Sequence, residues 1–238
     1  MSRKKYFLIL DTETCNTIEQ PLPYDIGWAI VDRYGKIYAR RSFVVAETFC
    51  GMKDVMTSAY YVEKIPNYWD DIKSGCRKIL PMWDIRRTMR DDIKNFKIRE
   101  VGAYNMAFDK RALNNLIRYV SKSWCRWWFP FGVEFFCIWS MACDVILNRK
   151  SYLDFAEQNN LISEKGNIST SAESAYKYIT NNPQFVESHT GLEDVEIETA
   201  IMAECYRQKK KMCRKINPAC WRKVQRKRKE LDLREAFK

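Results

Sequence analysis

Two carboxylates separated by one residue follow an apolar run near the start of the chain, Phe7-Leu8-Ile9-Leu10-Asp11-Thr12-Glu13-Thr14. In a strand, side chains alternate, so Asp11 and Glu13 share one face and Thr12 takes the other. The apolar run before them predicts a buried central strand. Carboxylates emerging side by side from such a strand repel each other. A hard divalent cation such as magnesium, which takes oxygen ligands, relieves that repulsion. The plainer alternative is that both acids end the strand at a solvated turn. The choice depends on what partners the rest of the chain supplies.

Two further polar clusters stand at the edges of apolar elements. Asn105-Met106-Ala107-Phe108-Asp109 lies where a strand gives way to a helix. His189-Thr190-Gly191-Leu192-Glu193-Asp194 opens a long helix. His189 is the only histidine, so it alone can offer an imidazole for proton transfer near neutral pH. Glu193 and Asp194 both fall in a first turn, where the helix dipole favours acids, so position alone does not separate them. Asp109 has the same helix-start preference.

The elements that must position these groups follow from periodicity. Tyr6–Asp11 reads as a strand, and Tyr24–Asp32 as a second. The turn Arg33-Tyr34-Gly35-Lys36 leads by a hairpin into Ile37–Val45. Met52–Val62 and Pro81–Phe96 read as helices, and Ile98–Tyr104 as a short fourth strand. Phe108–Val120 is amphipathic, with Ala112, Leu113, Leu116, Ile117 and Val120 at helical spacing. After the aromatic stretch Trp124–Phe136 comes a last strand around Glu134–Cys137. Helices are expected over Trp139–Leu147, Tyr152–Asn159, Ser171–Thr180, Leu192–Lys211 and, past Asn217-Pro218, Ala219–Phe237. A meander followed by alternating strands and helices predicts an α/β domain with a mixed sheet. Ligands of open sheets lie beyond the carboxyl ends of strands, where Asp11 and Glu13 fall.

Taken together, the three clusters resemble the DEDDh branch of 3′–5′ exonucleases, which includes polymerase proofreading subunits, ribonuclease T and oligoribonuclease. Asp11-Thr12-Glu13 is similar to its first motif, Asn105-x-x-Phe108-Asp109 to its second, and His189 with Asp194 five residues on to its third. The likeness runs from Tyr6 to Arg207, apart from Thr48–Lys97. It implies an α/β, ribonuclease-H-like mixed sheet of five strands flanked by helices. The exonuclease domain would span 1–206, with a helical insertion at about 48–97 and a basic helical C-terminal extension at 207–238. The implied activity is hydrolysis of DNA or RNA phosphodiesters from the 3′ end of a single strand. Two divalent ions, magnesium or manganese, about 3.5–4 Å apart would assist it. By resemblance Asp11 would bridge both ions, Glu13 and Asp194 would complete the first site, and Asp109 would reach the second. His189 would take the proton of the attacking water. Thr12, Thr14 and Asn105 are weaker candidates for touching the terminal nucleotide. Relatives commonly carry a glycine shortly after D-x-E-T, where Cys15 stands here. The resemblance implies either a free-standing enzyme or a subunit that docks on a polymerase or replication partner, and oligomeric state stays open. Two other classes compete: a non-catalytic nucleic-acid-binding module on a nuclease fold, and another metal-dependent phosphoesterase.

Composition bounds these readings. No run of about 18 apolar residues is present, so no membrane span is expected. The basic start Met1-Ser2-Arg3-Lys4-Lys5 precedes too short an apolar stretch for a signal peptide, so a cytoplasmic protein is expected. Nine scattered cysteines without a C-x-x-C pair fit reduced thiols rather than zinc or disulfides. The net charge of +11 is local: Arg207–Lys229 holds twelve Lys and Arg and no acid, leaving the remainder at 29 basic against 30 acidic residues. That run reads either as a phosphate-attracting segment or as a solvated helix face. The aromatic group Trp124–Phe131 reads as core or a structural flap, or as a stacking platform for bases.

Overall fold

In the computed structural model, which describes residues 5–187 and 189–236 with side chains through 230, β1 (Phe7–Cys15) runs through the middle of the sheet. Its neighbour β2 (Leu22–Val31) is buried at all ten positions, as a central strand should be. β3 (Ile37–Val45) follows through the Gly35 turn, whose φ of 83° suits glycine. β1–β2 and β2–β3 are antiparallel. The sheet has six strands in the order β4-β3-β2-β1-β5-β6, with β4 (Lys78–Leu80), β5 (Glu100–Ala103) and β6 (Glu134–Cys137). β5 runs parallel to β1, β6 to β5 and β4 to β3.

The expected five strands are therefore six. β4 comes from within the 48–97 segment, and at three residues it is too short to show periodicity. The same segment corrects a second expectation: Met52–Val62 is not one helix. After α1 (Ala46–Phe49), it breaks into α2 (Lys53–Met56) and a 3₁₀ turn at Val62–Lys64. The regular helix there is α3 (Ile65–Ser74), with Pro66 in its first turn and Gly75 closing it at φ 80°.

Two helical layers sandwich the sheet. Leu8 and Leu10 face α4 (Met82–Asn95) and α5 (Met106–Ser121), with Trp128 filling the same core. Phe7 and Ile9 face the other way, towards α6 (Ile138–Val145), α7 (Lys150–Gln158), α8 (Ala172–Thr180) and α9 (Gly191–Arg207). A third cluster, including Cys15, Tyr24, Phe49 and Tyr68, packs the insertion onto the same end of β1 as its carboxylates.

The basic C-terminal run is strapped to the body. Cys137 donates its N–H to the Arg214 carbonyl at 2.9 Å, and Arg214 pairs with Glu100 at 2.7 Å. Lys223 pairs with Asp144, and Cys220 and Val224 are buried in the core. α10 (Arg222–Ala236) carries the rest of the run, and Gln225 bonds both backbone groups of Ile168. Phe237, the expected end of this helix, and the terminal residues Arg3 and Lys4 lie outside the described residues. No helix among the described residues is long and apolar enough to cross a membrane.

Candidate active site

The strand alternation that puts Phe7 and Ile9 against α9 carries Asp11 and Glu13 to the same face. The pairing of β1 with β2 shifts register just after Glu13, a bulge of the kind that re-aims side chains next to sites. Asp11 lies opposite Gly27 in that ladder. Gly27 is a contact point for α9: a Cβ there would come within 2.1 Å of the Gly191 carbonyl oxygen. Two glycines thus let the first turn of α9 rest on the backbone of β2, beside Asp11.

Asp25 holds that turn in place. It is fully buried, opposite Glu13 in the ladder, and accepts the Gly191 N–H at 3.2 Å. It also accepts from the Tyr68 hydroxyl and from Arg77 Nη1, both at 2.8 Å. The insertion therefore anchors the helix that brings the third cluster to the first.

On α9 the structure separates two acids that position in the sequence left equivalent. Glu193 points outward and accepts from the Thr190 hydroxyl at 2.7 Å, while Asp194 is buried. Asp194 brings a carboxylate oxygen within 4.8 Å of one of Glu13. From the opposite helical layer α5 brings Asp109, also buried, whose Oδ1 accepts the Thr12 hydroxyl at 2.9 Å. Thr12 does face away from Asp11 and Glu13, and its hydroxyl serves to orient the carboxylate arriving from that side.

A fifth carboxylate joins them. Glu198 sits one turn beyond Asp194, on the same face of α9, and is buried with its Oε2 unpartnered. The Asp194 Oδ1 is likewise buried without a hydrogen-bond partner. The i, i+4 spacing of two acids on an apolar face was a readable sign of Glu198 that the motif spacing passed over.

Burial and mutual repulsion raise the pKa of each of these carboxyls. Asp11 is raised well above the usual carboxylate range by burial first, then by Asp109, Glu198, Glu13 and Asp194. Burial, followed by the charge of Asp194, lifts Glu13 to about 9, and burial followed by Glu187 lifts Asp194 to about 8. Burial lifts Asp109 to about 7. Glu198 is raised by burial and then by Asp109. A cluster of this charge, with unpartnered buried oxygens, fits a divalent-cation centre of hard oxygen ligands.

His189 approaches from the loop before α9. Its φ is 53°, a left-handed conformation uncommon for a residue with a side chain. The ring stacks on Tyr61 of the insertion, with centroids 4.0 Å apart and planes at 13°. Glu13, His189 and Asp194 each bring one potential ligand atom within 4.8 Å of the other two. Glu173 and Glu187 form a second such group with His189, and its Nδ1 lies 3.8 Å from Glu187 Oε2. Burial first, then Lys64, lowers the imidazole below its ordinary pKa, which favours the neutral ring. Tyr61 and Glu187 had no mark in the sequence, since their contacts are made only by folding.

The structure thus gathers Asp11, Glu13, Asp109, His189 and Asp194 at one end of β1. The other candidates lie around the edge. Thr14 is half-buried, with its carbonyl accepting the Tyr60 N–H at 3.3 Å. Asn105 is exposed before α5, and its carbonyl accepts from Phe108 and Asp109.

No family model and no curated protein sequence matches this chain. Solved structures do match its fold. Escherichia coli exonuclease I in complex with a 5cy-dT13 oligonucleotide aligns with a TM-score of 0.54 and 15% identity, over 87% of this chain and 41% of that one. The fold is ribonuclease-H-like. A moderately thermophilic exonuclease I from Methylocaldum szegediense aligns at 0.50 and 15%, over 87% and 41%. The zinc-bound complex of the E. coli enzyme with single-stranded DNA aligns at 0.50 and 13%, with the same shares. At these identities the likeness is one of fold, and the chain spans about two-fifths of the length of those proteins.

Proposed function

We propose that the protein is a metal-dependent 3′–5′ exonuclease of the DEDDh type, acting on single-stranded nucleic acid. The observation that carries the reading is the convergence of four motif carboxylates and one imidazole at the carboxyl end of β1. The first motif lies 178 residues in sequence before His189, yet fold and spacing bring them together. The neighbours in fold include exonuclease I bound to single-stranded DNA, which makes DNA the first substrate to try.

Asp11, Glu13, Asp109 and Asp194 would hold two divalent ions, magnesium or manganese. When bound, such ions stabilise charge on a phosphodiester and acidify the attacking water. His189 would accept that water's proton at Nε2 while Nδ1 faces Glu187. The Tyr61 ring would hold the imidazole in place, and Thr12 would keep Asp109 turned towards the cleft. The backbone around Thr14 and the exposed Asn105 would border the terminal nucleotide. In this reading residues 1–206 form the catalytic unit, and 207–238 buttress it and add positive charge.

The test is digestion of DNA and RNA strands labelled at either end, single and double, with magnesium, manganese or chelator. A 3′ label should leave at once as a mononucleotide, and a 5′ label should report a shortening ladder. Absence of degradation with either metal, or release of internal fragments carrying the 3′ label, overturns the proposal.

A further inference from the structure

A strongly basic, aromatic groove lies on the α4 side of the molecule, away from the carboxylates. Helical spacing puts Trp83, Arg87, Arg90 and Lys94 on one outward stripe of α4, while Met82, Ile85, Met89 and Ile93 face the core. Lys97 and Arg99 continue the stripe beyond the helix. The facing wall is the loop before β6, from Pro130 to Val133, where Phe131 is fully exposed. Between them is a cavity of about 750 Å³ whose lining holds six Arg and Lys and one acid, Asp91. It shares Lys97, Arg99 and Gly132 with a second cavity of about 1280 Å³ that reaches Lys5 and Tyr6 at the start of β1.

The loop is fixed there by arginine. Arg86 donates to the carbonyls of Trp128 and Trp127 at 2.8 and 2.9 Å. Arg126 lies over the Trp83 ring at 5.3 Å, and Arg118 over the Trp127 ring at 4.5 Å. Among the described residues Arg87 pairs with Asp84 at 2.7 Å, whereas Arg90, Lys94, Lys97 and Arg99 make no ion pair. Like charges three and four apart on a helix cost stability. Exposed rings between unpaired cations match a ligand that presents phosphates and flat faces together.

We propose that this groove binds single-stranded nucleic acid, and that it holds the strand behind the 3′ end engaged in the cleft; the second clause rests on the exonuclease reading. A duplex hides its base faces from Trp83 and Phe131, and an acidic peptide offers no rings. From Tyr6 at the groove to Asp11 and Glu13, β1 advances five to seven residues, about 17–23 Å at 3.3 Å per residue. At about 3.4 Å per stacked nucleotide, six or more nucleotides are needed to touch both places.

The test uses the full chain carrying Asp11→Asn, in chelator, with fluorescein-labelled oligo-dT of 4, 8, 12 and 20 nucleotides followed by anisotropy. Affinity should climb between 4 and 12 nucleotides. Arg90→Glu with Lys94→Glu should weaken the 20-mer at least ten-fold, weaken the 4-mer by less, and reduce the salt slope of the 20-mer by about 1.4, at 0.7 per lost contact. The neutral pair Arg90→Gln with Lys94→Gln should act in the same direction, so misfolding is not the cause. Trp83→Ala with Phe131→Ala should weaken the 20-mer without changing the slope. Unchanged 20-mer binding in these variants, or equal competition by duplex or by poly-glutamate, overturns the proposal. The two readings fail separately. If the chain with Asp11 intact hydrolyses tetranucleotides and the groove variants bind normally, the groove is refuted and the nuclease stands. If the groove binds as described and no strand is hydrolysed, the nuclease is refuted and groove binding stands.

Discussion

Asp109→Asn should stabilise the metal-free protein at pH 8 while abolishing its activity. Burial raises the Asp109 carboxyl from 3.8 to about 7 in the folded chain. The folded state then holds the proton more tightly than the unfolded one. Such a group contributes stability below the unfolded pKa, and that contribution is lost as pH rises through the folded pKa. Between pH 4 and pH 8 the shift of roughly three units removes about 4 kcal/mol, at 1.36 kcal/mol per unit. Asparagine has no proton to lose, and its amide oxygen can still accept from the Thr12 hydroxyl. For a chain of this size, 4 kcal/mol corresponds to a melting temperature higher by about 10 °C. The assay is calorimetry or dye-monitored melting in chelator at pH 8 and pH 4.5. At pH 4.5 the linkage term is only about 1 kcal/mol, so the curves should nearly converge. Saturating magnesium should raise the wild-type melting temperature more than that of the variant. An Asp109→Asn protein less stable than wild type at pH 8 in chelator, or a difference independent of pH, would show that the buried Asp109 carboxyl does not carry this linkage.

His189→Ala should lower kcat by about 10²–10⁴ and leave the metal-induced rise in melting temperature intact. In wild type, activity should rise with pH through an acid limb lying below about 6.5, because burial and Lys64 favour the neutral ring that accepts the proton. Tyr61→Ala removes the stacked face beneath His189, and kcat should fall about ten-fold with KM little changed, moving the acid limb upward. Gly27→Ala forces a Cβ against the Gly191 carbonyl, so thermal melting should show a loss of about 3 kcal/mol or more, with activity lost as α9 is displaced.

The parts of the site that could be read in the sequence are those set by local rules. Period two places Asp11 and Glu13 on one face, and a helix start places Asp109 and Asp194, whatever the rest of the fold does. The burial pattern of β2 and the Gly35 hairpin are legible for the same reason. What escaped the sequence depends on contacts between distant segments. Asp25, Tyr68 and Arg77 form the anchor for α9 across 43 and 52 residues of sequence, and none carries a motif. Tyr61 meets His189 only because the insertion folds over the end of β1. β4 was too short for any periodicity, and Met52–Val62 held apolar residues that pack as turns rather than as a helix. The basic run was legible as charge, but Cys220 and Val224 show that one side of it is core.

The proposed two-ion centre at the end of β1 can be counted directly. Manganese titration monitored by electron paramagnetic resonance, in the presence of a product mononucleotide, tests it most directly. Two ions per chain, close enough to be spin-coupled, are expected in wild type, with loss of the coupled pair in Asp11→Asn. Manganese that binds wild type and variant equally, or fails to bind at this site, would contradict it.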